Sequence, residues 1–121
     1  MGNLRQINKY GNRRLYDKDE SRYITLADVY RLILDEVEFR VIDNASQQDI
    51  TDHVLLQVMS MQERSGTPML GREFLLQTIR IYGSPLQGSI GECLRQSINA
   101  LVLQSGDNRR PRADFETPLQ P

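Results

Sequence analysis

A single cysteine, a single histidine and no tryptophan leave this 121-residue chain with little of the equipment that reactive sites need. Cys93 has no partner for an internal disulfide, and its place in a helical pattern predicts a small buried thiol rather than a nucleophile. His53 has no second histidine and no cysteine at metal spacing, so a zinc site would lack recognisable soft ligands and no metal is expected. Gly-x-Ser-x-Gly is absent, so the serines have no nucleophile-elbow setting, and neither a Walker nor a dinucleotide-type glycine loop occurs. Asp49 and Asp52 are explained by a helix start without invoking an acid/base pair. These absences argue against an enzyme and leave no cofactor to expect.

Long apolar runs are missing too. No segment approaches the roughly 20 residues that cross a bilayer, and the opening MGNLRQINKYGNRR has no apolar core of a secretory leader. A cytoplasmic chain without a membrane partner is therefore expected. What is present, 39% apolar and 26% charged residues, fits one modest globular core, or a small domain with a helical appendage. The formal net charge of −1 gives no overall attraction to nucleic acid, but the charge is uneven along the chain. Arg5, Lys9, Arg13 and Arg14 precede the first acid, Asp17, whereas Asp35, Glu36, Glu38, Asp43, Asp49 and Asp52 crowd the middle around Arg40.

The pattern predicts an α+β fold in which a small N-terminal β-meander/helix module precedes a helical module. QINKY, RRLYD and RYITL read as short strands, punctuated by Gly11-Asn12 and by residues 18–21. Thr25 followed by Asp28 reads as a cap for a helix over about residues 26–35, with Leu26, Val29, Tyr30 and Ile33 on its apolar face. Phe39 and Val41 alternate as a strand, with a short return through Asp49 and Ile50. Thr51 is expected to cap a second helix, reaching about Glu63, on the stripe of Val54, Leu55, Val58, Met59 and Met61. Ser65-Gly66-Thr67-Pro68 then breaks the chain. The expected units are 1–64, a helical module over 69–104, and a polar tail over 105–121 containing Arg109, Arg110 and Arg112.

In the helical module, Phe74, Leu75, Ile79 and Tyr82 mark one helix, stopped near Gly83-Ser84-Pro85. Ile90, Leu94, Ile98, Leu101 and Val102 mark another, at spacings that resemble a heptad seam. Two helices enclose little core, so such stripes want packing on the N-terminal unit or on another chain.

The informative constellation is basic and aromatic: Lys9, Tyr10, Asn12, Arg13, Arg14, Tyr16, Arg22 and Tyr23. Arg and Lys neutralise phosphates, Arg and Asn read base edges, and tyrosine hydroxyls donate to backbone oxygens. The same tyrosines could instead form the meander's core beneath solvated arginines, and composition leaves both readings open.

As a string, residues 9–28, KYGNRRLYDKDESRYITLAD, resemble the N-terminal signature of the polyhydroxyalkanoate (polyhydroxybutyrate accumulation) synthesis regulator family. The resemblance continues through Phe39-Arg-Val-Ile-Asp43, Asp49-Ile-Thr51 and Leu55-Leu-Gln57. Residues 73–98, EFLLQTIRIYGSPLQGSIGECLRQSI, are similar to the family's helical module. Gly11 departs from a frequent proline and Arg95 from a common acid. The resemblance implies a bacterial repressor of phasin and polyester-synthesis genes that binds promoter DNA and is titrated away as polymer accumulates. It makes the N-terminal module the DNA-binding part, in which Lys9, Arg13, Arg14 and Arg22 are expected to contact phosphate or base edges, with Tyr10, Asn12, Tyr16 and Tyr23 shaping or joining that surface. Phe74, Ile79, Tyr82, Ile90, Leu94, Ile98 and Leu101 would serve a homo-oligomer, dimer or tetramer, or contact with polymer at the granule surface. The rival is a protein- or granule-interaction module whose N-terminal arginines are incidental.

Overall fold

The computed structural model describes residues 4–105. The expected tail lies outside them, apart from its first residue. The chain divides into two compact units, the first ending at Met69 and the second beginning at Leu70.

The first unit is α+β. Strands β1 (Arg5–Tyr10), β2 (Arg14–Asp17) and β3 (Arg22–Ile24) form an antiparallel meander, as the turn residues between the short β-rich runs predict. Gly11, between β1 and β2, has φ 64°, a left-handed conformation that the fixed negative φ of proline forbids.

Helix α1 (Leu26–Leu34) starts where the sequence places it. The Asp28 N–H donates to Thr25 Oγ1 at 3.2 Å, and the Thr25 N–H donates back to Asp28 Oδ2 at 2.9 Å, closing a reciprocal cap. The Thr25 N–H is the main cause holding the Asp28 carboxyl below its ordinary value. Thr25→Ala is expected to lower the unfolding free energy by about 1 kcal/mol in denaturant titrations. Because the folded pKa is depressed, Asp28's own contribution is fully present above about pH 4 and is lost as pH falls through the folded value. An Asp28→Asn chain should accordingly converge with the parent in acid, as followed by thermal melts.

The helix ends with Glu36 at φ 60°, the Val37 N–H reaching Leu32 O and the Glu36 N–H reaching Ile33 O. Strand β4 (Phe39–Asp43) then pairs parallel with β1, giving the order β3-β2-β1-β4. A parallel partner needs a crossover, which α1 supplies. The expected return through Asp49 is a single antiparallel bridge to Ile42.

Helix α2 (Thr51–Arg64) is capped differently from expectation. Thr51 lies inside the helix, its hydroxyl accepting the Val41 N–H at 2.9 Å and donating to Asp49 Oδ1 at 2.6 Å. The N-cap position falls to Ile50, which makes no side-chain capping bond; Asp49 takes the Thr51 N–H at 2.9 Å, while the threonine ties the helix to β4.

Each strand gives one side chain to the core: Ile7, Leu15, Ile24 and Val41, joined by Val29 of α1 and by Val54 and Val58 of α2. Of the α2 methionines, Met61 packs on this core and Met59 is exposed. Asp17 is also buried, and satisfied. Its carboxylate takes Arg5 Nη1 at 2.9 Å and the N–H groups of Asp19 and Glu20 at 2.9 and 3.2 Å.

The second unit consists of α3 (Gly71–Ile81) and α4 (Gln87–Ser105). No residue of α3 is buried. Cys93 is exposed, contrary to the buried thiol expected from its helical setting, because α3 and α4 provide too little surface to enclose it. Arg95 pairs with Glu92 on its own helix at 2.8 Å. No described helix is long and apolar enough to cross a membrane.

Candidate nucleic-acid interface

Side chains alternate across a strand, so placing Ile7, Leu15, Ile24 and Val41 in the core sends their neighbours to the other face of the sheet. The register sets Asn8 beside Tyr16, Tyr10 beside Arg14, and Tyr16 beside Tyr23. On the other side of β1, Gln6 faces Arg40 and Asn8 faces Ile42. None of these strand positions carries a carboxylate.

Three tyrosines run across this face. Tyr10 meets Tyr16 edge to face at 6.4 Å, and Tyr16 meets Tyr23 likewise at 5.1 Å. The Arg14 guanidinium lies over the Tyr23 ring, 5.8 Å from its centre. A chain of amides lies alongside: Gln6 Nε2 donates to Asn8 Oδ1 at 3.4 Å, and Asn8 Nδ2 to Asn44 Oδ1 at 3.3 Å. Beyond β4, at the rim, stands Asp49, whose carboxyl is held below its ordinary range first by the Thr51 hydroxyl and next by the Thr51 N–H.

Four of the eight sequence-predicted residues, Tyr10, Arg14, Tyr16 and Tyr23, share this outer face. Tyr16 is half-buried and Tyr23 exposed, and no tyrosine is among the buried core residues. Asn12 and Arg13 are exposed at the β1–β2 turn, at one end of the face. Lys9 and Arg22 alternate onto the helix-bearing side instead. Lys9 is in register with Asp43, and Arg22 binds Glu20 at 3.0 Å, the hydrogen bond that chiefly raises its pKa. Gln6, Asn8 and Arg40 join the face without having been singled out in the sequence. The sign that could have found the first two is their alternation with the apolar Ile7. Arg40 needed the knowledge that β4 lies beside β1.

In the second unit, Phe74, Ile79, Tyr82, Leu94, Ile98 and Leu101 are exposed and Ile90 is half-buried. Sixty to seventy per cent exposure at Ile79 (63%), Tyr82 (67%) and Leu101 (61%) is far from core behaviour.

A sheet with one face packed on helices and the other lined by arginine, amide and tyrosine defines a module suited to meeting a polyanion. Comparison with known proteins gives that class its family. The family described as PHB/PHA accumulation regulator DNA-binding domain matches residues 6–66, a stretch that contains all of the sheet but its first residue, Arg5. The chain belongs to this family, and is a DNA-binding regulator of PHB accumulation.

Two relatives match over nearly all of this chain. One, from Thiocystis violacea, is described as an uncharacterized protein in the phbA 5′ region. It is 44% identical over 114 residues, 94% of this chain and 83% of the relative. The other, an uncharacterized protein of Allochromatium vinosum, is 43% identical over 114 residues, 94% of this chain and 74% of the relative. No solved structure matches the chain. The family points to a regulator rather than an enzyme.

Proposed function

We propose that this chain is a cytoplasmic bacterial repressor. It binds promoter DNA of polyester-synthesis and phasin genes and leaves that DNA when polymer accumulates. The observation that carries the reading is the outer sheet face, with Arg14 and Arg40 and no carboxylate at its strand positions, ending in the exposed Asn12-Arg13 turn. Phosphate neutralisation by such groups is the general source of affinity for DNA, and base contacts add sequence preference. Arg13 and Arg14 are the principal contacts, with Tyr10, Asn12, Tyr16 and Tyr23 beside them. Lys9, next to the turn, and Arg22, at the far end of β3, reach phosphate only around the edges of the sheet. The position of the Thiocystis violacea relative, in the phbA 5′ region by its description, supports a link to polyester genes.

The helical unit is the sensor and assembly part. Its exposed stripes at Phe74, Ile79, Tyr82, Leu94, Ile98 and Leu101, with the half-buried Ile90, suit a homodimer or tetramer and contact with apolar polyester at the granule surface. The test is a gel shift of the full chain on duplexes from upstream of the neighbouring phasin and polyester genes, with and without polymer particles. Expected is a shift that weakens steeply with salt and is released by the particles. Binding to particles alone, with no shift at low salt, would replace the repressor by a granule-interaction module.

A further inference from the structure

We infer that Arg14, held by the Tyr23 ring, reads base edges in the major groove, whereas Arg13 at the turn holds phosphate. The inference rests on the DNA-binding reading above and assigns it an element and a division of labour.

The helices of the first unit are poorly suited to enter a groove. Helix α1 offers one acid, Asp28, against one base, Arg31, and α2 offers Asp52 and Glu63 against Arg64, so neither carries a basic stripe. The outer sheet face has the complementary charge and also the right breadth. The β1–β2 pair, ending in the exposed Asn12-Arg13 turn, is a two-stranded ribbon of the kind that a major groove about 12 Å wide admits, with Tyr23 on the strand beside it. Strand β4 and the Asp49 carboxylate beyond it lie at the opposite edge of the sheet from β3 and Tyr23. Two copies of the face pressed together would instead oppose their arginines.

Arg14 is anchored differently from other arginines among the described residues. Arg5, Arg22 and Arg95 are engaged by carboxylates and Arg64 by the Ser60 carbonyl, whereas Arg14 is held by an aromatic ring. A ring fixes the plane of a guanidinium without occupying its forked donors, which match the two acceptors that guanine shows in the major groove. Tyr23 is thus a positioning residue. Arg13 has no such guide on its exposed turn, and a solvated charge there suits phosphate, which demands no particular plane.

The experiment begins with selection of a random duplex library on the full wild-type chain. Binding of the enriched duplex and of a scrambled duplex is then measured over a salt series. Arg14→Lys keeps the charge and loses the fork. It should bind the enriched duplex about 10- to 100-fold more weakly, with less than about 3-fold loss on the scrambled one and an unchanged salt slope. Tyr23→Leu should reproduce that pattern and Tyr23→Phe should not. Arg13→Ala should weaken both duplexes equally and flatten the salt slope by about one. Enrichment by the wild type together with an Arg14→Lys chain that binds like it, or that loses equally on both duplexes, overturns this inference alone. A change in sedimentation of the free Arg14→Lys chain with DNA affinity intact assigns the face to a second copy and also overturns it. A wild-type chain that enriches no sequence removes the underlying reading of promoter recognition, and the inference with it.

Discussion

Replacing Arg13 and Arg14 together with alanine is expected to weaken binding of the full chain to promoter duplex by about 2 to 6 kcal/mol, at about 1 to 3 kcal/mol for each contact. Both side chains are exposed, neither belongs to the core, and among the described residues Arg14 approaches the Tyr23 ring while Arg13 stands on the open turn. Their removal should therefore leave the folded sheet intact. Thermal melting within about 0.5 kcal/mol of the parent would show this, as usual for surface changes. The salt dependence separates a true interface from an incidental charge. Loss of one phosphate contact makes the fall of affinity with salt shallower by about 0.9 in the logarithmic slope, so the slope should change as well as the intercept. A double variant that melts like the parent and retains its promoter affinity would remove the sheet face from the interface. By contrast, Arg5→Ala should damage the fold. It takes the cation from a carboxylate, that of Asp17, that is only 2% exposed. Two arginines nine residues apart on one strand pair thus have opposite expected consequences.

That contrast shows what local sequence can and cannot convey. The turn-punctuated runs, the Thr25–Asp28 cap and the apolar spacing of the helices are properties of neighbouring residues, and they are legible because short-range geometry dictates them. The pairing of β4 with β1 is a property of residues more than thirty positions apart. Nothing near Arg40 shows that it will stand opposite Gln6, and so the full width of the outer face was hidden. The basic-aromatic segment was visible as a composition, but its division was not. Once Ile7 and Leu15 are buried, period-two alternation alone sends Tyr10, Arg14 and Tyr16 one way and Lys9 the other. The Thr51 cap failed for a related reason. Its hydroxyl is claimed by the Val41 N–H, a partner ten residues away, and the N-cap position falls to Ile50, just before it. Cys93 misled because helical periodicity tells which residues share a stripe, and says nothing of whether a second surface covers it.

An uncovered stripe leads to the other large effect. Leu94, Ile98 and Leu101 stand 42%, 56% and 61% exposed along α4, at spacings of four and three that carry one seam along a helix. If the proposed homodimer buries this seam, glutamate at both Leu94 and Ile98 changes four side chains in a two-fold assembly, because each substitution occurs once in either protomer. At about 1.5 kcal/mol per apolar side chain returned to water, the loss is roughly 6 kcal/mol before any cost of burying charge. Such a loss raises the dissociation constant by about four orders of magnitude, enough to turn a nanomolar dimer into monomers at ordinary assay concentrations. Sedimentation velocity of the Leu94→Glu, Ile98→Glu chain should then show a single slower species. The core of the first unit is built from β1 to β4, α1 and α2, and its stability should be kept. Promoter affinity should fall as well, since a monomer carries one DNA-binding face where the dimer carries two, and the tethered second face acts at high effective concentration. Unchanged sedimentation with reduced attachment to polyester particles would assign the same seam to polymer instead. Unchanged behaviour in both assays would leave α4 without either proposed role.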